Sequence, residues 1–274
     1  MKNILETICN NKHQEVARQK EAASLSHLEN TISKQNRKKI SFKQSLTQSD
    51  SGIIAEFKRR SPSKGWIHPN ATVETIVSGY EQAGASAISV LTDEQFFGGS
   101  FLDFEKARKI ITQIPLLRKD FIVDEYQLYQ SKALGADIIL LIAACLTKEE
   151  SLRFSRLAHQ LDMEVLLEIH DESELEYIQP EIDVVGINNR NLKTFVTDIQ
   201  RTISLANQLP KEYIKISESG ISQPETVINL RREGFKGFLM GENFMKTDDP
   251  AQALNEFINR VRHCERRDTA SRNS

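Results

Sequence analysis

Glu168 lies inside the run Val165-Leu166-Leu167-Glu168-Ile169, an acid set among side chains that otherwise read as core. Glu56 and Lys58 close a second apolar run, and Lys119 follows a third, Pro115-Leu116-Leu117-Arg118. A charge buried without a partner is costly, so ammonium and carboxylate groups at the ends of apolar segments point to a place where they meet. The chemistry open to such a set is proton transfer by positioned acids and bases, with the lysines also attracting an anionic molecule. Glu56 and Lys58 are two positions apart, which puts both on one side of an extended segment. Asn188 and Arg190 repeat that spacing, while Glu218, Ser219 and Gly220, then Gly241 and Glu242, follow two further runs. One charged residue at a strand end is usually a solvated edge; the convergence of several is the argument for a site.

The elements that must position them come from the period of the chain. Apolar, β-rich runs occur at Gly52–Phe57, Ala87–Thr92, Pro115–Arg118, Asp137–Ile142, Glu164–Ile169, Asp183–Ile187, Tyr213–Ser217 and Gly237–Met240. Helical patterns alternate with them at Thr72–Ala83, Phe104–Thr112, Asp124–Leu134, Lys148–Leu161, Glu172–Ile178, Asp198–Gln208, Pro224–Arg232 and Pro250–Arg262. The central runs are continuously apolar, as strands are when helices cover both faces of a parallel sheet. Eight such units suit a (β/α)8 TIM barrel of the usual size, about 250 residues. A doubly wound sheet is disfavoured, because the first strand runs into Lys-Arg-Arg-Ser-Pro-Ser-Lys without a glycine-rich phosphate turn. Residues 1–48 are expected to be a helical extension packed on a barrel of residues 49–262. The polar stretch 263–274 is expected to be a frayed tail. In such a barrel the C-terminal strand ends form the mouth of the site. Gly220 and Gly241 there would let the backbone approach a phosphate.

Composition removes other classes. The chain has 274 residues, with 36 Lys and Arg against 38 Asp and Glu, a net charge of -2 that gives no basic field for nucleic acid. The best apolar run, Ile138 to Leu146, is about half the roughly 20 residues of a membrane span. The N-terminus turns polar before a signal-peptide core can form. Three scattered cysteines, Cys9, Cys145 and Cys264, suit a reduced cytoplasmic setting and argue against a disulfide framework. The six histidines lack metal-ligand spacing, and His159 and His170 read as surface residues. No cofactor or metal is called for. Arg59, Arg60 and Lys64 form a small basic patch that is either a solvated loop or an aid to anion capture.

Six blocks, each at an expected strand end, carry a resemblance. They are IIAEFKRRSPSKG (Ile53–Gly65), TDEQFFGGS (Thr92–Ser100), LLRKDFIVDEYQ (Leu116–Gln127), LLEIHDESEL (Leu166–Leu175), VGINNRNLKTF (Val185–Phe195) and SESGI (Ser217–Ile221). Together with the N-terminal segment they make the chain resemble the indole-3-glycerol-phosphate synthase family over nearly its whole length. The resemblance implies ring closure of 1-(2-carboxyphenylamino)-1-deoxyribulose 5-phosphate with loss of CO2 and water. It makes Lys119 the general acid, places Glu56, Lys58 and Glu168 in the dehydration, and gives Asn188 and Ser219 orienting roles. It also implies substrate contacts from Ser61, Phe97, Phe121, Leu140, Ile142, Arg190, Leu192 and Glu218, and a phosphate corner at Gly220, Gly241 and Glu242. Asn243 departs from the family, where a small hydroxyl residue often stands. The implied partner is a small phosphorylated substrate, with the protein a monomer in at most weak contact with other enzymes of the pathway. The competing expectations are a sister isomerase barrel acting on phosphoribosylanthranilate, a lysine-imine enzyme using Lys119 as nucleophile, and a silent phosphate-binding barrel. Lys119→Ala is expected to abolish turnover nearly completely and to move the melting temperature little, as a surface lysine contributes little to stability.

Overall fold

In the computed structural model of the chain, residues 4–190 and 196–272 are described. The eight apolar runs become the parallel strands of a closed barrel: β1 (Ile53–Phe57), β4 (Ala87–Leu91), β5 (Leu116–Lys119), β6 (Ile138–Ile142), β7 (Glu164–Ile169), β8 (Val184–Asn188), β9 (Ile214–Glu218) and β10 (Phe235–Met240). The ring closes by pairing of β1 with β10. Two short antiparallel strands, β2 (Arg60–Ser61) and β3 (Gly65–Trp66), form a hairpin in the loop after β1. Three barrel strands run one residue past their expected ends, so Lys119, Asn188 and Glu218 lie on strands rather than after them.

The twelve helices described are α1 (Ile4–Ala22), α2 (Leu25–Ser33), α3 (Phe42–Gln48), α4 (Val73–Gln82), α5 (Glu94–Phe97), α6 (Phe101–Ile110), α7 (Tyr126–Leu134), α8 (Lys148–Gln160), α9 (Ile199–Ala206), α10 (Pro224–Arg232), α11 (Glu242–Met245) and α12 (Pro250–Arg272). Local chemistry sets their starts. Thr147 and Glu150 form a reciprocal capping box at α8, and Ser41, Ser100 and Asp198 cap α3, α6 and α9. The α-helix expected at Glu172–Ile178 is a 3-10 turn, Glu172–Tyr177, because Asp171 caps Ser173 and the Glu174 carboxylate folds back onto the His170 N–H. The tail expected to fray continues α12 to Arg272. Residues 262–272 contain no glycine or proline to stop it, and Glu265 pairs with Arg231 on α10.

Strand alternation divides the core. Ile54, Ala87, Leu117, Ile138, Leu140, Ile142, Leu166, Val184, Ile216 and Leu239 fill the barrel interior, and Phe42 and Leu46 of α3 pack into it at the N-terminal end. The intervening side chains, such as Ala55, Ile88, Ile139, Val165, Leu167 and Val185, face the outer helices. Both strand faces are therefore apolar, which explains the unbroken runs in the sequence.

The N-terminal extension is bolted to the mouth. Lys12 of α1 is 1% exposed, and its ammonium lies 3.0 Å from Asp93 and 2.9 Å from Asp120, residues that follow β4 and β5. Asp120 is also held by Arg118 at 2.9 Å. Burial works against ionisation of Asp120, but Lys12 and Arg118 outweigh it and draw its pKa down to about 2. Asp120 thus contributes stability that is complete above its unfolded pKa, about 3.9, and is lost as the pH falls through about 2. Lys12→Met is expected to lower unfolding free energy by about 3–5 kcal/mol, the cost of leaving a buried charge without its partner. Urea denaturation at neutral pH measures this; a midpoint equal to wild type would show that Lys12 does not anchor α1.

Candidate active site

The barrel register brings the charged residues together. Leu91 pairs with Lys119, Ile142 with Glu168, Glu168 with Gly186, and Asn188 with Glu218, so these side chains lie at neighbouring levels around the ring. The Lys119 ammonium sits 2.9 Å from Glu168 Oε2 and 3.0 Å from Glu218 Oε2. Asn188 Nδ2 donates to Glu168 Oε1 at 2.9 Å, and Lys58 contacts Glu56 directly. All of these border one cavity of about 380 Å³. Ser61, Phe97, Phe121, Leu140, Ile142, Arg190, Ser219, Gly220, Gly241 and Glu242 complete the expected lining. Leu192 lies outside the described residues.

Proton affinities follow from this packing. Burial pulls Lys119 toward neutrality, but Glu168, Glu218 and Glu56 outweigh it and raise its pKa well above the ordinary lysine value. Burial opposes the charge on Glu168 too, and Lys119, His170 and Asn188 reverse that, leaving it well below the carboxylate range. Glu218 goes the other way. Burial, then the nearby Glu168 and Glu56 charges, outweigh Lys119 and push it up to about 7. The site holds a firm ammonium, a firm carboxylate and a carboxyl poised to exchange a proton near neutrality.

Two glycines create the space for these groups. A Cβ on Gly186 would stand 2.1 Å from Glu218 Oε1, and one on Gly241 would stand 2.6 Å from Glu56 Oε1. Gly241, expected only at a phosphate corner, also makes room for a carboxylate. Ser219 and Gly220 follow β9 with φ of 71° each, the left-handed turn that brings the chain back across the mouth. Glu242 turns its carboxylate to Arg190 at 3.7 Å and Lys64 at 3.9 Å, so the backbone at this corner is what can face an anion.

One expectation fails. His170 is 8% exposed, not a surface residue. Its ring nitrogens lie 3.1 Å from Glu168 and 3.4 Å from Glu174, since β7 carries it inward beside the site. Desolvation would lower its pKa, yet the two carboxylates raise it to about 10. His159 is partly exposed and pairs with Asp183. In the basic patch, Arg59 forms two bonds to Asp103 at 2.6 and 2.8 Å, Arg60 lies over Trp66, and Lys64 stays exposed near Glu242.

Other lining residues had not been assigned to the site. Ile4, Leu5 and Ile8 of α1 form an apolar wall, and Lys246 adds a cation at the rim. The helical spacing of Ile4 and Ile8 signals a buried face, but nothing local says what it covers. Gly186→Ala is expected to preserve the barrel and to displace the Glu218 carboxyl. The measurement is turnover beside far-ultraviolet circular dichroism: a large loss of turnover with an unchanged spectrum is expected, and wild-type turnover would remove Glu218 from the working set.

Comparison with known proteins identifies the family of the chain. The family model described as indole-3-glycerol phosphate synthase matches residues 5–257. An indole-3-glycerol phosphate synthase from Bacteroides thetaiotaomicron is 54% identical over 261 residues, covering 95% of this chain and 100% of that protein. One from Caldanaerobacter subterraneus subsp. tengcongensis is 44% identical over 94% of this chain and 99% of that protein. Among solved structures, tryptophan synthase subunit alpha from Legionella pneumophila aligns with a TM-score of 0.60 at 14% identity. It covers 81% of this chain and 97% of that one, a likeness of fold alone. With the matched span and the level of identity in agreement, the chain belongs to the indole-3-glycerol phosphate synthase family.

Proposed function

We propose that this mouth closes the indole ring of 1-(2-carboxyphenylamino)-1-deoxyribulose 5-phosphate, with Lys119 as the acid of the condensation. The observation that carries the reading is one ammonium gripped by two buried carboxylates, in a cavity with aromatic side chains on one side and glycine-rich backbone on the other. Phe97 and Phe121, with ring centroids 5.8 Å apart, and Leu140 and Ile142 suit the aryl ring. Gly220, Gly241 and the backbone of Glu242, with Arg190 nearby, suit the phosphate; Ser61 lines the same cavity as a polar contact. As the ring carbon attacks the ketone, charge develops on its oxygen and the Lys119 ammonium supplies a proton. The substrate carboxylate leaves as CO2, restoring the ring electrons. Loss of the hydroxyl as water then needs a second acid and a base. The Lys58–Glu56 pair supplies the proton and Glu168 accepts one, with Asn188 and Ser219 orienting the groups. Glu218 holds Lys119 from its second side. This chemistry suits a cytoplasmic monomer working on a small phosphorylated substrate.

A fluorescence assay for the indole product tests the activity; no fluorescent product from authentic substrate would overturn it. Lys119→Ala is expected to lower turnover by about 10²–10⁴-fold, the worth of a positioned general acid. The sequence-based expectation of an unchanged melting temperature does not survive the structure. Lys119 neutralises two buried carboxylates, so its removal leaves Glu168 and Glu218 facing each other and raises their proton affinity. A raised carboxyl pKa means the folded state binds more protons, so the variant's stability deficit should grow as the pH rises above the unfolded carboxylate value, about 4.3. Borohydride with substrate should trap no adduct, since Lys119 is held as an ammonium rather than a free amine.

Glu218 gives a pH signature. Below about 7 it is protonated; above, its charge tightens the hold on the Lys119 proton. Turnover should therefore decline as the pH rises through that region. Glu218→Gln should remove that limb, and a profile identical to wild type would exclude Glu218 as its origin.

A further inference from the structure

The cysteines that are far apart in sequence are not all apart in space. Cys9 and Cys145, 136 positions apart, have sulfurs 2.8 Å from each other. Cys9 is on α1, one residue after Ile8, which lines the cavity. Cys145 ends the 3-10 turn Ala143–Cys145, directly after β6, whose Leu140 and Ile142 line the same cavity. Both cysteines are half-buried. The third, Cys264, belongs to α12 and lies 3.7 Å from Glu225 of α10.

We propose that Cys9 and Cys145 form a thiol-oxidation site whose product, an intramolecular disulfide, pins helix α1 across the cavity and slows turnover. The S–S bond of a disulfide is about 2.05 Å, so the sulfurs need to close by less than an ångström. The oxidant is a low-molecular-weight disulfide, R–S–S–R. The Cys9 thiolate attacks one of its sulfurs and releases R–S⁻; Cys145 then gives its proton to a departing thiolate, attacks Cys9 Sγ and releases the second R–S⁻. Two protein thiols lose two electrons and two protons, and R–S–S–R becomes two R–SH. The surroundings favour this order. The hydrogen-bonded contact between the two sulfurs lowers the pKa of Cys9, whereas that contact, burial and the Glu168 and Glu174 carboxylates raise the pKa of Cys145.

The consequence for activity rests on the assignment of this cavity as the active site. Leu5 and Ile8 form part of its wall, and α1 is otherwise held there by non-covalent ties such as Lys12 and Lys20. Ionic ties can open and reclose when substrate enters or product leaves; a covalent one cannot.

The test incubates the full chain with oxidised glutathione, caps remaining thiols with N-ethylmaleimide and reads the intact mass and a tryptic map. Reduced protein should take up a label on each of its three cysteines; oxidised protein should keep only the Cys264 label and yield a peptide joining Cys9 to Cys145. Turnover should fall several-fold and return with dithiothreitol. Before oxidation Cys9→Ser and Cys145→Ser should each match the reduced wild type; after it neither should yield the joined peptide, and Cys145→Ser should stop at a glutathione mixed disulfide on Cys9, while Cys264→Ser behaves as wild type. Full labelling after oxidation, a bond through Cys264, or a cross-linked enzyme with undiminished turnover would each overturn the proposal. A reduced chain without synthase activity would instead count against the functional assignment, because the mass readout does not depend on it.

Discussion

One ammonium between two carboxylates organises the cavity at the C-terminal ends of the barrel strands. Glu168 and Glu218 come from strands β7 and β9, separated in the ring by β8, and both are buried. Two such charges would repel at this range in a low-dielectric setting. Lys119 reaches them from β5, and its charge makes their coexistence possible. The compensation is unequal. Asn188 and His170 add support to Glu168, whereas Glu218 receives Lys119 alone among these and keeps a pKa near 7. Different neighbours thus give two chemically identical side chains different protonation states at one pH.

Their proximity depends on what is absent between them. Gly186 is the β8 residue at the level of Glu168, and any side chain there would meet the Glu218 carboxyl. Gly241 performs the same service for Glu56. His170 extends the charge network outward to Glu174, so an imidazolium and a carboxylate stand behind the one that faces the cavity. The charged cluster is therefore a product of barrel register and side-chain omission as much as of the charged residues themselves.

The N-terminal extension belongs to the same construction. Its Lys12 is locked against Asp93 and Asp120 at the strand ends, which places Ile4, Leu5 and Ile8 over the cavity. The extension then descends past α7, with Arg37 bonded to Asp137 at 2.7 Å, and ends in α3 packed into the opposite end of the barrel. One segment closes the barrel at its base and supplies an apolar wall at its mouth.

Much of this was legible in the chain. Continuous apolar runs mean strands covered on both faces, and their alternation with capped amphipathic segments specifies the barrel. Glu168 inside such a run had to be paired by physical argument alone, since a buried acid demands a partner, and Lys119 is that partner at the cavity. What the sequence could not disclose was who the partners are, because a pair like Lys119 and Glu218 is made by ring closure between distant strands. His170 misled for that reason: its inward direction is set by the strand it extends and its charge by two carboxylates that fold around it. Local patterning, then, determines which segments become strands and helices and which side chains cannot rest there unpaired. Only the closed tertiary structure decides the distances between those charges, and with them which groups hold a proton, because Coulomb energy and desolvation depend on neighbours in space rather than in the chain.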